Sequence, residues 1–126
     1  LQDRKVVLYV KPDASEEKRR ELVERWYRRL LSERIEEILP SCEKRVGVCV
    51  CEWRIRRMKT RWGTCNPSAS RIWLNLSLAE KPEECLVYVL VHELAHLLEP
   101  SHNKRFYALM DRFYPGWKEV RKRLNS

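Results

Sequence analysis

Between Cys85 and Leu98 the chain is apolar at Leu86, Val87, Val89, Leu90, Val91, Leu94, Ala95, Leu97 and Leu98, and among these it places His92, Glu93 and His96. A helix apolar over most of its surface is central and buried. Pro82 suits a first helical position, and Pro100 disfavours helical geometry in the residue before it, so the pattern predicts a helix from Pro82 to about Leu98. Three polar side chains on such a helix would each lose a few kcal/mol, of the order of ~3, if buried without partners. The fold must therefore bring them a partner.

The spacing names one. Residues i and i+4 of a helix lie one turn apart on the same face, so the rings of His92 and His96 can reach one ion. Glu93, next to the first ring, can face a water on that ion and take its proton. A catalytic zinc site normally has three protein ligands. His102 is the best third: Pro100 ends the helix, Ser101 and Asn103 suit a tight turn, and the chain can fold back over the helix end. Glu99, Asp111 and Glu119 are its rivals. Imidazole donors favour zinc, with one ion per chain expected.

The remaining pattern predicts one domain across residues 1–126. Lys5–Val10 is expected as a short strand, and Asp13 with Glu16 resembles a capping box. A helix is expected from Ala14 to Leu39, with Leu22, Val23, Trp26, Tyr27, Leu30, Leu31, Ile35, Ile38 and Leu39 as its apolar stripe and Pro40 as its stop. Val46–Lys59 is expected as a long strand with Cys49, Cys51, Trp53 and Ile55 on one buried face. Arg61–Ser70 is rich in turn formers. Arg71–Leu78 is expected as a strand with Ile72, Leu74 and Leu76 on one face and Trp73, Asn75 and Ser77 on the other. A helix over Lys104–Tyr114 and a last amphipathic turn or two through Trp117, Val120 and Leu124 complete the chain.

A formal net charge of +8 suits nucleic acid, anionic surfaces or acidic substrates. Five cysteines, an odd number, with no secretory signal point to reduced thiols in the cytoplasm. There is no C-x-x-C pair and so no standard zinc ribbon. The longest nearly uncharged stretch, Cys85–Val91, is far too short to span a bilayer, and no membrane partner is expected.

With these residues in view the chain resembles the YgjP-like metallopeptidases, a family similar to the WLM and SprT-like zincins. The resemblance rests on Arg56-Arg57-Met58-Lys59-Thr60-Arg61-Trp62-Gly63-Thr64-Cys65, on Ile72–Leu78 with Asn75, on Tyr88–Leu97, and on Pro100-Ser101-His102-Asn103-Lys104-Arg105-Phe106. It implies zinc bound by His92, His96 and His102, with Glu93 as general base. It also implies an α+β zincin-like fold: a small mixed β-sheet packed on the active-site helix, with flanking helices. Family members usually carry Ser where this chain has Thr64, and are longer at the N-terminus, so part of that region is expected to be missing.

The expected activity is hydrolysis of a peptide bond in a peptide or protein substrate. Zincins often bind substrate as an added strand, and Arg71–Leu78 is the expected sheet edge, with Trp73 or Asn75 toward substrate. Tyr107, Tyr114 and Arg105 are the candidate oxyanion stabilisers. Arg61 is expected to fix its loop through carbonyl contacts or to meet a substrate carboxylate. Two other functions fit parts of the pattern. One is a metal-dependent nucleotide pyrophosphatase or phosphohydrolase, which the arginine excess suits but for which no Gly-rich phosphate loop is present. The other is a DNA-associated, protease-like binding module using the basic stretch Arg54–Arg61.

Overall fold

The computed structural model describes residues 15–126. The expected strand Lys5–Val10 and the capping side chain of Asp13 lie outside them. Helix α1 (Glu16–Val46) begins at Ser15, whose hydroxyl accepts a hydrogen bond from the Lys18 N–H at 3.2 Å. It does not stop at Pro40. The apolar stripe continues from Leu39 past the proline to Cys42 and Val46, all three buried, while Pro40 and Glu36 lie on the exposed side. A proline inside a helix costs about 3 kcal/mol. Here the burial of the following turns outweighs it, and Glu36, whose carbonyl Pro40 leaves without its helical partner, is an exposed residue. The helix ends instead at Gly47, in the left-handed region at φ 84°, where its N–H donates to the Glu43 carbonyl.

Three short strands form the sheet: β1 (Glu52–Arg56), β2 (Gly63–Asn66) and β3 (Arg71–Asn75), in the order β1-β3-β2. β3 runs parallel to β1 and antiparallel to β2. Three expectations are corrected here. The long strand from Val46 contracts to β1, and Cys49 and Cys51 are exposed. Val48 and Val50 are half-buried in their place, because the alternation that buries Ile55 changes phase before β1 begins. The turn-rich segment contributes a strand, β2. And β3 is the central strand, not an edge: it ends at Asn75, where a single 3-10 turn (Leu76–Glu80) takes over.

Helices α2 (Glu83–Ala95), α3 (Lys104–Phe113) and α4 (Trp117–Leu124) follow. α2 is the hub: it packs on α1, on β2 and β3, and on α3 and α4. Leu86, Leu90 and Leu94 of α2 are buried with Leu31 and Ile35 of α1, Ile72 and Leu74 of β3, and Phe106 and Leu124 of the last two helices. The sheet, the hub helix and the helices around it make an α+β architecture with one continuous core. No helix among the described residues is long and apolar enough to cross a membrane. All five cysteines are free, with Cys42 and Cys85 buried.

Candidate metal centre

His92 sits in the last turn of α2 and His96 caps the helix. The chain then turns through Pro100 and Ser101, and the Asn103 side chain caps α3 by accepting from the Phe106 N–H at 3.0 Å. That cap returns His102 over the end of α2. The His102 Nε2 lies 2.9 Å from His96 Nε2 and 3.3 Å from His92 Nε2. One ligand atom from each of the three residues lies within 4.8 Å of the others.

Tetrahedral zinc with Zn–N bonds of 2.0–2.1 Å separates its nitrogen ligands by about 3.3 Å. The three rings therefore converge at nearly the spacing such an ion requires. Their protonation fits as well. His96 Nδ1 lies 3.1 Å from the Glu99 carbonyl, which can only accept, so the proton is on Nδ1 and the Nε2 lone pair faces the other rings. Phe106 stacks on His96 at 4.3 Å between ring centroids and meets His92 and His102 edge-on, at 4.9 and 5.1 Å. It is the floor on which the cluster rests, a role its place in the apolar pattern of α3 did not disclose. His92 Nδ1 is buried, with no hydrogen-bond partner among the described residues.

The electrostatics favour neutral rings. Burial pushes His92 down to about 3, with the charges of His96, His102 and Arg121 adding to the effect. His96 is lowered too, chiefly by burial. Glu93, only 5% exposed, is pushed by burial up to about 8, against the opposing charge of Arg61. A cation beside it would favour its carboxylate form.

The rival third ligands are engaged elsewhere or stand apart. Glu99 accepts from the Ser101 N–H and faces Arg105. Asp111 accepts from Trp117 Nε1 at 2.9 Å. Glu119 is outside the cluster.

His92 and His102 border a cleft of ≈ 280 Å³ whose lining includes Glu93, Arg61, Trp62, Tyr88, Tyr107 and Arg121. Asn75 shapes one wall. Its amide donates to the Met58 and Arg61 carbonyls at 3.0 and 2.8 Å, and its backbone N–H to the Trp62 carbonyl. It is therefore a brace for the loop before β2 and does not face substrate. Trp73 lies under the Arg56 guanidinium. The loop is held through the carbonyl of Arg61, leaving its side chain to line the cleft. Trp62 is pinned by Nε1 donating to Asn125 Oδ1 at 2.9 Å. Of the candidate oxyanion donors, Tyr107 lines the cleft, whereas Tyr114 packs near Arg45 and Arg105 faces Glu99.

Gly63 is where β2 crosses α2. A Cβ there would lie 2.9 Å from a Val89 methyl and 3.0 Å from both Cγ and Oε2 of Glu93. Gly63→Ala is expected to destabilise the fold by about 1–3 kcal/mol through overpacking, and to slow turnover by displacing the Glu93 carboxyl. Thermal unfolding and steady-state kinetics check this. An unchanged melting temperature would show that the contact yields freely.

Comparison with the curated proteins gives no match. Among solved structures, the chain is similar to the crystal structure of the metallopeptidase zymogen of Pyrococcus abyssi abylysin. The TM-score is 0.65 and the identity 27%, over 71% of this chain and 90% of that one. The metallopeptidase zymogen of Methanocaldococcus jannaschii jannalysin shares the fold with a TM-score of 0.60 and 21% identity, over 71% of this chain and 92% of that one. The architecture is thus a zincin-like metallopeptidase fold. The YgjP-like metallopeptidase domain matches residues 1–126, and with that match over the whole sequence the chain belongs to the YgjP-like metallopeptidase family.

Proposed function

We propose that the protein is a zinc-dependent metallopeptidase in which His92, His96 and His102 hold the ion and Glu93 is the general base. The observation that carries this reading is the convergence of three Nε2 atoms beside a buried carboxyl at the floor of an open cleft. A bound zinc ion supplies Lewis acidity, polarising a water molecule and the scissile carbonyl together. Glu93 then accepts a proton from the attacking water at its carboxylate and delivers it to the leaving amine. Its burial among Val89 and the β2 backbone excludes competing water and keeps the proton on the reaction path.

Tyr107 is the oxyanion donor in this proposal. Its ring lies 6.4 Å from that of His102 and it is 38% exposed, on the open side of the cleft. Its stacking on Trp117 at 5.7 Å holds the ring in place. Tyr107→Phe is expected to lower kcat by about 10²-fold while leaving KM nearly unchanged, because the donor is needed where charge develops. An equal rise in KM with kcat intact would instead make Tyr107 a binding residue.

Substrate is expected to pair with β2. This strand is the sheet edge beside α2, and its Gly63 touches Glu93. An extended peptide added there would run past the histidines. The proposal is tested by elemental mass spectrometry and peptide-library cleavage on one preparation, before and after chelation. About one zinc per chain, with cleavage lost on chelation and restored by zinc, is expected. Nucleotide hydrolysis without peptide cleavage would overturn the peptidase reading.

A further inference from the structure

We propose that the cleft selects peptides with acidic side chains near the scissile bond, and that Arg61 and Arg121 are the residues that read them. The proposal rests on the peptidase reading above and deepens it to a substrate class.

Its basis is where positive charge is left uncompensated. Arg57, Arg71, Arg105 and Arg123 each meet a glutamate. Arg61 and Arg121, the two arginines of the cleft, form no ion pair among the described residues. Among the described residues the only carboxylate in the cleft lining is Glu93, which is buried and committed to the centre.

The two arginines come to the cleft from different elements, Arg61 from the loop before β2 and Arg121 from α4. Arg121 sits 4.8 Å over the Trp117 ring, which stacks with Tyr107 and lies parallel to Tyr88. The Arg61 carbonyl is held by the Asn75 amide. A peptide lying in the cleft thus meets two cations, one from each element.

On the Arg61 side the positive surface continues. Arg61 also lines a neighbouring hollow of ≈ 290 Å³ with Arg56, Lys59 and Thr60. Guanidinium matches carboxylate with two parallel N–H donors, so side chains of Glu or Asp are the natural occupants. Both arginines line a cleft that reaches the proposed amide-hydrolysing centre, which favours a peptide over a nucleic-acid strand.

The test uses the zinc-loaded Glu93→Gln protein, which binds without cleaving. A short neutral fluorescent peptide with Gln on both sides of the cleavage position is compared with versions carrying Glu at either or both. At ~50 mM salt each Glu is expected to tighten binding about threefold, and the gain should shrink as salt rises. Arg61→Gln should abolish the gain at one position and Arg121→Gln at the other. The Arg→Lys variants should retain part of it, which a purely structural role would not produce. In the wild-type enzyme the same preference should appear in KM and not in kcat.

Equal binding of Glu and Gln peptides, or a preference surviving both Arg→Gln changes, overturns the proposal. So does a single-stranded oligonucleotide that binds more tightly than the doubly acidic peptide and displaces it. Charge-selective binding with no cleavage by the wild type would sustain this inference and sink the peptidase reading. Cleavage without charge preference would do the reverse.

Discussion

His102→Ala is expected to strip the metal from the purified protein and to abolish peptide cleavage with it. His92 and His96 alone leave an ion with two protein ligands, whereas a catalytic zinc normally has three. Even the loss of a group that only orients a ligand lowers metal affinity about 10–100-fold, and loss of the ligand itself should exceed that. The fold should survive, because the His102 side chain is exposed and the turn that carries it is capped by Asn103. Zinc content by elemental mass spectrometry and unfolding by circular dichroism separate the two effects. The holoenzyme should also lose the stabilisation that bound metal gives, so the melting temperature of the variant should match that of chelated wild type. Full zinc occupancy in the variant would move the third ligand to another residue. Glu99 would then have to leave Ser101 and Arg105 to serve.

The centre was largely legible in the sequence because its parts are local. Helical period places His92 and His96 on one face, and a proline followed by a capping asparagine returns His102 within a few residues. Helices α3 and α4 were legible for the same reason: both are short and amphipathic, bounded by Asn103, Pro115 and Gly116. What was not legible depends on contacts distant in sequence. Pro40 obeys a local rule that the burial of Cys42 and Val46 overrides. β2 has four residues, one of them Gly, and no alternation of its own; it is a strand because β3 pairs with it. Cys49 and Cys51 are exposed because the phase of Trp53 and Ile55 does not extend back to them. Asn75 turns inward to hold two carbonyls of the preceding loop, which no period-2 pattern anticipates. The far wall of the cleft comes from α4, so Arg121 joins the site only through tertiary packing.

Glu93→Gln is expected to separate binding from chemistry. The amide keeps the shape of the carboxyl against Gly63 and Val89 but cannot accept the proton of the attacking water. Metal content and peptide affinity should remain, while kcat falls by about 10²–10⁴-fold, the usual contribution of a general base. Chelated protein offers a second readout, in stability. Burial lifts the carboxyl to about 8 in the folded state, from an ordinary value near 4.5. Between those two values the folded protein holds a proton that the unfolded chain has released. The wild type should therefore lose stability as pH rises from 4.5 through about 8, and the Gln variant should not share that loss. Denaturant unfolding of both chelated proteins across this range checks the sign. A gap that widens toward alkaline pH confirms a buried, reluctant acid, and a gap independent of pH refutes it. If stability diverges as expected but kcat is unchanged, Glu93 is buried beside the centre without serving as its base.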